Sequence, residues 1–156
     1  LEQFREVVNF DGGKLEERYN RLNDSYQDSV TAADNITNRI GKVDSVANAL
    51  FDEWEDEIDE YSNQKFKRLS QQQLRDTKTR YSRLLHAMRK AESSIEPVLV
   101  TLKDNTLFLK HNLNARAISS LKGELSNVNQ QVSSLISNME KAIQESDSFI
   151  KELQSS

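Results

Sequence analysis

Residues 15–61 read LEERYNRLNDSYQDSVTAADNITNRIGKVDSVANALFDEWEDEIDEY. Through this stretch apolar side chains recur in alternating steps of four and three: Leu15, Tyr19, Leu22, Tyr26, Ala33, Ile36, Ile40, Val43, Ala47, Leu50, Trp54 and Tyr61. Ser29 and Glu57 are the polar members of the seam. A spacing that averages about 3.5 residues is the coiled-coil period, because a helix whose apolar stripe returns that often keeps the stripe turned toward one partner. The stretch predicts a long helix lying against another. It decides architecture far better than activity.

Composition points the same way. Of 156 residues one is Pro and four are Gly, while Gln, Glu, Lys, Arg, Leu and Ser abound. That is too little turn punctuation for a sandwich or an α/β fold, and no run alternates cleanly with period two. The expected class is all-α: an elongated, antiparallel, coiled-coil-like bundle of three long helices plus an N-terminal helix stub. A hydrophobic content of 36% and a mean hydropathy of −0.74 favour thin seams between helices over a thick globular core.

The chain reads as a single helical domain over 1–156. Leu1, Phe4 and Val8 share a helical face, and Asp11-Gly12-Gly13 breaks it, so residues 1–10 are expected to be the end of a truncated helix. The chain starts at Leu1 and not Met, which leads us to expect a removed upstream segment. Helix A is placed at 14–69. Ser70 with Gln73 has the spacing of a capping box, which starts helix B at Gln71. Its seam is Leu74, Thr77, Tyr81, Leu84, Met88, Ala91, Ile95, Val98 and Leu102, running through Pro97. Pro removes a backbone donor, so the helix either kinks there or restarts; the unbroken step from Ile95 to Val98 favours a kink. Helix B is placed at 71–125, kinked at Pro97, and helix C at 130–153, with Asn127 and Gln130 as its cap. A break at Asn112-Leu113-Asn114 is the rival.

Charge supplies an independent test of the hairpin. Asp44 to Glu60 holds eight acids and no base, and Lys65 to Lys90 holds nine bases against Asp76 alone. Folding the chain between Ser62 and Ser70 lays one block along the other, which sets register more than stability. The acids from Asp52 to Glu60 lack the glycine-centred spacing of a calcium loop, so helix pairing is the preferred reading.

The net charge of −4 argues against nucleic acid as a partner, since that affinity rests on clustered Lys and Arg. There is no Cys, which removes disulfides and thiolate chemistry. No apolar run has the length of a membrane span and no signal peptide is visible. His86 and His111 lie 25 positions apart and lack the Glu spacing of di-iron bundles. No phosphate loop, nucleophile elbow or zinc motif occurs. We therefore expect no enzyme, no catalytic, cofactor-binding or metal-binding residue, and no cofactor. His111, Asn112 and Asn114 are read as a polar layer that fixes register. Val98, Leu102, Leu107, Phe108 and Leu109 belong to a stretch that is apolar over more than one face. It is either the most buried part of the bundle or a groove for lipid or a partner helix.

Several phrases resemble a known family: Asn9-Phe10-Asp11-Gly12-Gly13, Leu50-Phe51-Asp52-Glu53-Trp54-Glu55, Glu96-Pro97-Val98-Leu99 and Leu109-Lys110-His111-Asn112-Leu113-Asn114-Ala115. They are similar to a proteobacterial family catalogued as domain of unknown function number two-nine-five-nine, over essentially the whole chain. The resemblance implies envelope proteins that start with a lipoprotein-type signal and one more helix, and it brings no activity. The expected role is a non-enzymatic scaffold or adaptor on the periplasmic side of the bacterial cell envelope, lipid-anchored in the full-length protein, with a protein partner or self-association. Membrane association is expected only through a missing N-terminal anchor. The alternative is a lipid- or partner-helix-binding module using the groove near Val98 to Leu109. If the missing helix belongs in the bundle, an apolar stripe is left uncovered and the chain is expected to dimerise over it.

Overall fold

The computed structural model describes residues 1–9 and 15–155, with side chains described as far as Gln154. The Asp11-Gly12-Gly13 reversal lies outside the described residues. Five helices follow one another: α1 Glu2–Val8, α2 Leu15–Ile58, α3 Gln64–Ser93, α4 Ile95–His111 and α5 Ala115–Ser155. No strand occurs among the described residues. The protein is an all-α bundle in which long helices pack on one another, the class that the seam predicts.

The boundaries fall elsewhere than the sequence places them, each for a local reason. α2 stops at Ile58 and α3 begins at Gln64, so the reversal comes earlier than residue 69. Asn63 caps the new helix: its Oδ1 accepts the amides of Lys65 and Phe66 at 3.0 and 3.2 Å. Ser70 sits inside α3, where its Oγ accepts the indole Nε1–H of Trp54 at 2.9 Å. A serine oxygen suits a half-buried indole as well as a helix end, and here the tertiary partner takes it.

The kink expected at Pro97 is a break between helices. α3 ends at Ser93 and α4 starts at Ile95, so Pro97 stands third in the new helix, where no intrahelical acceptor would meet its N–H. The rival break near residue 113 is the one that occurs. Asn112 closes α4, with its N–H bonded to the Leu109 carbonyl at 3.1 Å, and Asn114 opens α5 by accepting the Ala117 amide at 3.0 Å. Ser126 to Asn129 lie within α5, and the helix expected at 130–153 is the last part of this 41-residue helix.

The chain divides into two compact units, Leu1–Ile36 with Glu92–Asn138, and Thr37–Ala91 with Met139–Ser156. In the first, α1 lies between α2 and α5. Phe4, Val7 and Val8 enter a core with Leu22 of α2, Val98, Leu102 and Leu109 of α4, and Leu121 and Val128 of α5. Polar contacts reach α1 from both flanks: Arg5 donates to Asn129 Oδ1 at 3.0 Å, and Arg18 and Arg21 approach the Glu6 carboxylate at 3.9 and 3.8 Å. Each fully buried apolar side chain contributes about 1.5–3 kcal/mol. That is how seven residues, too few for an isolated helix, hold their shape.

The second unit contains the end of α2, most of α3 and the end of α5. α2 and α3 form an antiparallel hairpin, and Leu74, Thr77, Tyr81, Leu84 and Ala91 of α3 are buried as the seam predicts. Tyr81 is gripped from both sides, with Phe51 of α2 edge-on at 5.6 Å and Phe149 of α5 at 6.1 Å. The charge blocks meet in the pairs Lys78 with Glu55 and Lys67 with Asp59, the latter at 3.6 Å. Arg80 turns instead to Glu152 of α5 at 2.9 Å. These exposed pairs order the helices and contribute about 0–1 kcal/mol each.

Candidate functional site

Within the second unit, α2 and α5 flank α3 and leave an apolar groove of about 740 Å³. One wall is α2, with Val43, Val46, Ala47, Leu50 and Trp54; the other is α5, with Phe149 and Leu153. Thr77, Tyr81 and Leu84 of α3, all buried, form the floor. The walls are open to solvent: Val46 is 59% and Leu50 58% exposed. Met139, Ile143 and Ile150 extend the exposed apolar surface of α5 in this unit. An exposed apolar groove of this kind marks a site of association.

The polar atoms around the floor are already engaged. Tyr81 Oη–H donates to Asp44 Oδ1 at 2.8 Å, Thr77 Oγ1–H to the Gln73 carbonyl at 2.8 Å, and the Trp54 indole to Ser70. Burial first, and then the hydrogen bond to the Asp44 carboxylate, push the Tyr81 phenol up to about 12. The hydroxyl is therefore a fixed donor, spent inside the protein. On the floor the described donors of Trp54, Thr77 and Tyr81 are spent, and what the groove offers an occupant there is apolar contact. Charge stands at its rim, with Lys42 toward one end of the α2 wall and Glu53 and Glu57 toward the other. All three are exposed, and none is in an ion pair within the described residues.

The residues singled out from sequence do not assemble into one site. Val98, Leu102 and Leu109 are buried in the core of the first unit, which removes them from any groove. Leu107 and Phe108 are exposed on α4, and Phe108 lines a separate, polar groove beside Asp104, Asn105 and Glu124. His111 is exposed at the end of α4, and Asn112 and Asn114 cap α4 and α5 at the turn between them, so the three are not a buried polar layer. Helix ends consume polar side chains just as a buried layer would, which is why the spacing misled. The groove of the second unit carries a signal that sequence reasoning passed over. Val46 stands next to Ala47 of the seam, widening the stripe so that it faces more than one neighbour.

Among the described residues no three His, Asp or Glu gather in a metal-holding arrangement. No helix of the described residues is long and apolar enough to cross a membrane. The fold and the groove define a helical-bundle protein with an open apolar face in its second unit. The chain belongs to the family described as Protein of unknown function (DUF2959), whose model matches residues 1–153. Neither the curated proteins nor the solved structures contain a match to it.

Proposed function

We propose that this protein is a non-enzymatic scaffold or adaptor that holds a partner's amphipathic helix in the groove of its second unit. The observation that carries the reading is the open groove itself: apolar walls, a floor whose polar groups are internally satisfied, and charges of both signs at the rim. In the first unit the position between α2 and α5 is taken by α1, a helix that presents Phe4, Val7 and Val8 inward. A ligand of that kind, with anchors at i, i+3 and i+4, is what an apolar groove between helices recognises. Placement in the bacterial envelope, on its periplasmic side and lipid-anchored, is part of the proposal and rests on the family resemblance of the sequence.

Lipid is the second reading, since an acyl chain also fills apolar space. Glu53 and Glu57 at the rim speak against an anionic headgroup there. The test is a photo-crosslinking residue placed in cells at Val46, and as a control at Val100, which is exposed on α4. Protein adducts formed from position 46 and absent from position 100 are the expected result. Adducts of lipid mass alone, or none, would overturn the docking role.

A further inference from the structure

We infer that the occupant of the groove is a second copy of this chain, packed antiparallel across a two-fold axis that passes between Val46 and Leu50 of α2. The inference rests on the docking reading above and names its partner. A two-fold contact requires a surface complementary to itself, and the α2 wall has that property in both shape and charge. Val43, Val46 and Leu50 supply an apolar ridge. Lys42 lies about 16 Å along the helix from Glu53 and about 22 Å from Glu57, at 1.5 Å rise per residue. Reversing a second α2 about the midpoint carries Lys42 of each copy to Glu53 and Glu57 of the other, and sets Val46 of one against Leu50 of the other.

The opposite alignment fails on the same residues. Two parallel α2 walls in register would place Lys42 on Lys42 and the glutamates on each other, and like charges in contact are strongly disfavoured. Among the described residues the glutamates of the rim are not held by any base, so pairing gives them partners without breaking an ion pair seen there. The exposed Leu153 of α5 lines the same groove and extends the apolar contact on each side of the axis.

The experiment uses the full 156-residue chain in light scattering over a concentration series, with helicity and melting temperature as folding controls. Association into a particle of twice 17.9 kDa at about 100 µM is expected, the micromolar range of a small apolar interface. Lys42→Glu alone sets glutamate against glutamate twice, and the Glu53→Lys, Glu57→Lys double variant sets lysine against lysine. Each is expected to weaken association about tenfold or more. An equimolar mixture of the two restores every opposite pair and is expected to form the heterodimer at wild-type strength. A chain that stays at the mass of one copy throughout overturns self-pairing, and so does a dimer indifferent to the charge variants or a mixture that fails to recover. If crosslinks from position 46 to a different protein persist in that case, the docking role stands without self-pairing; if they are missing as well, both fall.

Discussion

One groove of this molecule is filled and another is open, although α2 and α5 contribute to both units. In the first unit α1 occupies the position between them, and Phe4 and Val7 are 0% exposed. In the second, Val46 and Leu50 of the same α2 stand in solvent above the Tyr81 floor. The sequence treats the two stretches alike, with a seam that steps by three or four from Leu15 to Trp54 and is polar only at Ser29. Periodicity therefore states that a face wants a partner. It does not state whether that partner is within the same chain.

The comparison breaks most readily at α1. Phe4→Ala removes a fully enclosed aromatic ring and is expected to lower unfolding free energy by about 3–5 kcal/mol, whereas Leu50→Ala is expected to stay within about 0.5 kcal/mol under dilute conditions. Urea titration of both variants checks this; equal losses would mean that the two grooves are equally filled. A second contrast lies on α4, where Leu109 is enclosed and Leu107 is exposed. Leu109→Ala should cost about 2–5 kcal/mol, and Leu107→Glu should leave the melting temperature almost unchanged. Had the stretch from Val98 to Leu109 been a groove, the charge at 107 would be expected to abolish binding in a folded protein.

Smaller effects sharpen the picture of the groove floor. Tyr81→Phe removes the donor to Asp44 and is expected to cost about 1 kcal/mol near neutral pH. The phenol holds its proton more tightly when folded, to about 12 against 10 for the free group. Its stabilising share is thus fully present below pH 10 and is lost as pH rises from 10 through 12. Thermal melts of the two proteins across that window should converge as the wild type loses its advantage; a constant gap would show that the hydroxyl is not held as described. Of the same order, Asn114→Ala removes the cap of α5 and should cost about 0.5–2 kcal/mol without altering association.

The class of fold was legible because helix packing writes itself into local spacing. Of the seam Leu74, Thr77, Tyr81, Leu84, Met88, Ala91, Ile95, Val98 and Leu102, every member but the half-buried Met88 is buried. Helix ends were less legible because they depend on which partner a polar side chain finds. Ser70 has the spacing of a cap and bonds Trp54 instead, while Asn63 does the capping three residues before Phe66. The seam through Pro97 does continue, but across two helices, since side-chain burial persists where the backbone ladder is interrupted. The groove escaped because the apolar run at residues 98–109 was the richer one in composition. Richness there reflected enclosure by three other helical segments, and the sparser stripe at Val43, Val46 and Leu50 was the one left uncovered.

Trp54, the single tryptophan of the chain, lines the open groove and gives the most direct measurement of its occupancy. Its emission and its quenching by acrylamide can be followed as protein concentration rises, in the wild type and in the Val46→Glu, Leu50→Glu double variant. The account predicts a blue shift and a fall in quenching in the wild type over the range where its mass doubles, with neither change in the variant. Tryptophan emission and quenching that stay constant in the wild type while its mass doubles would mean that the groove remains open and that association uses another face.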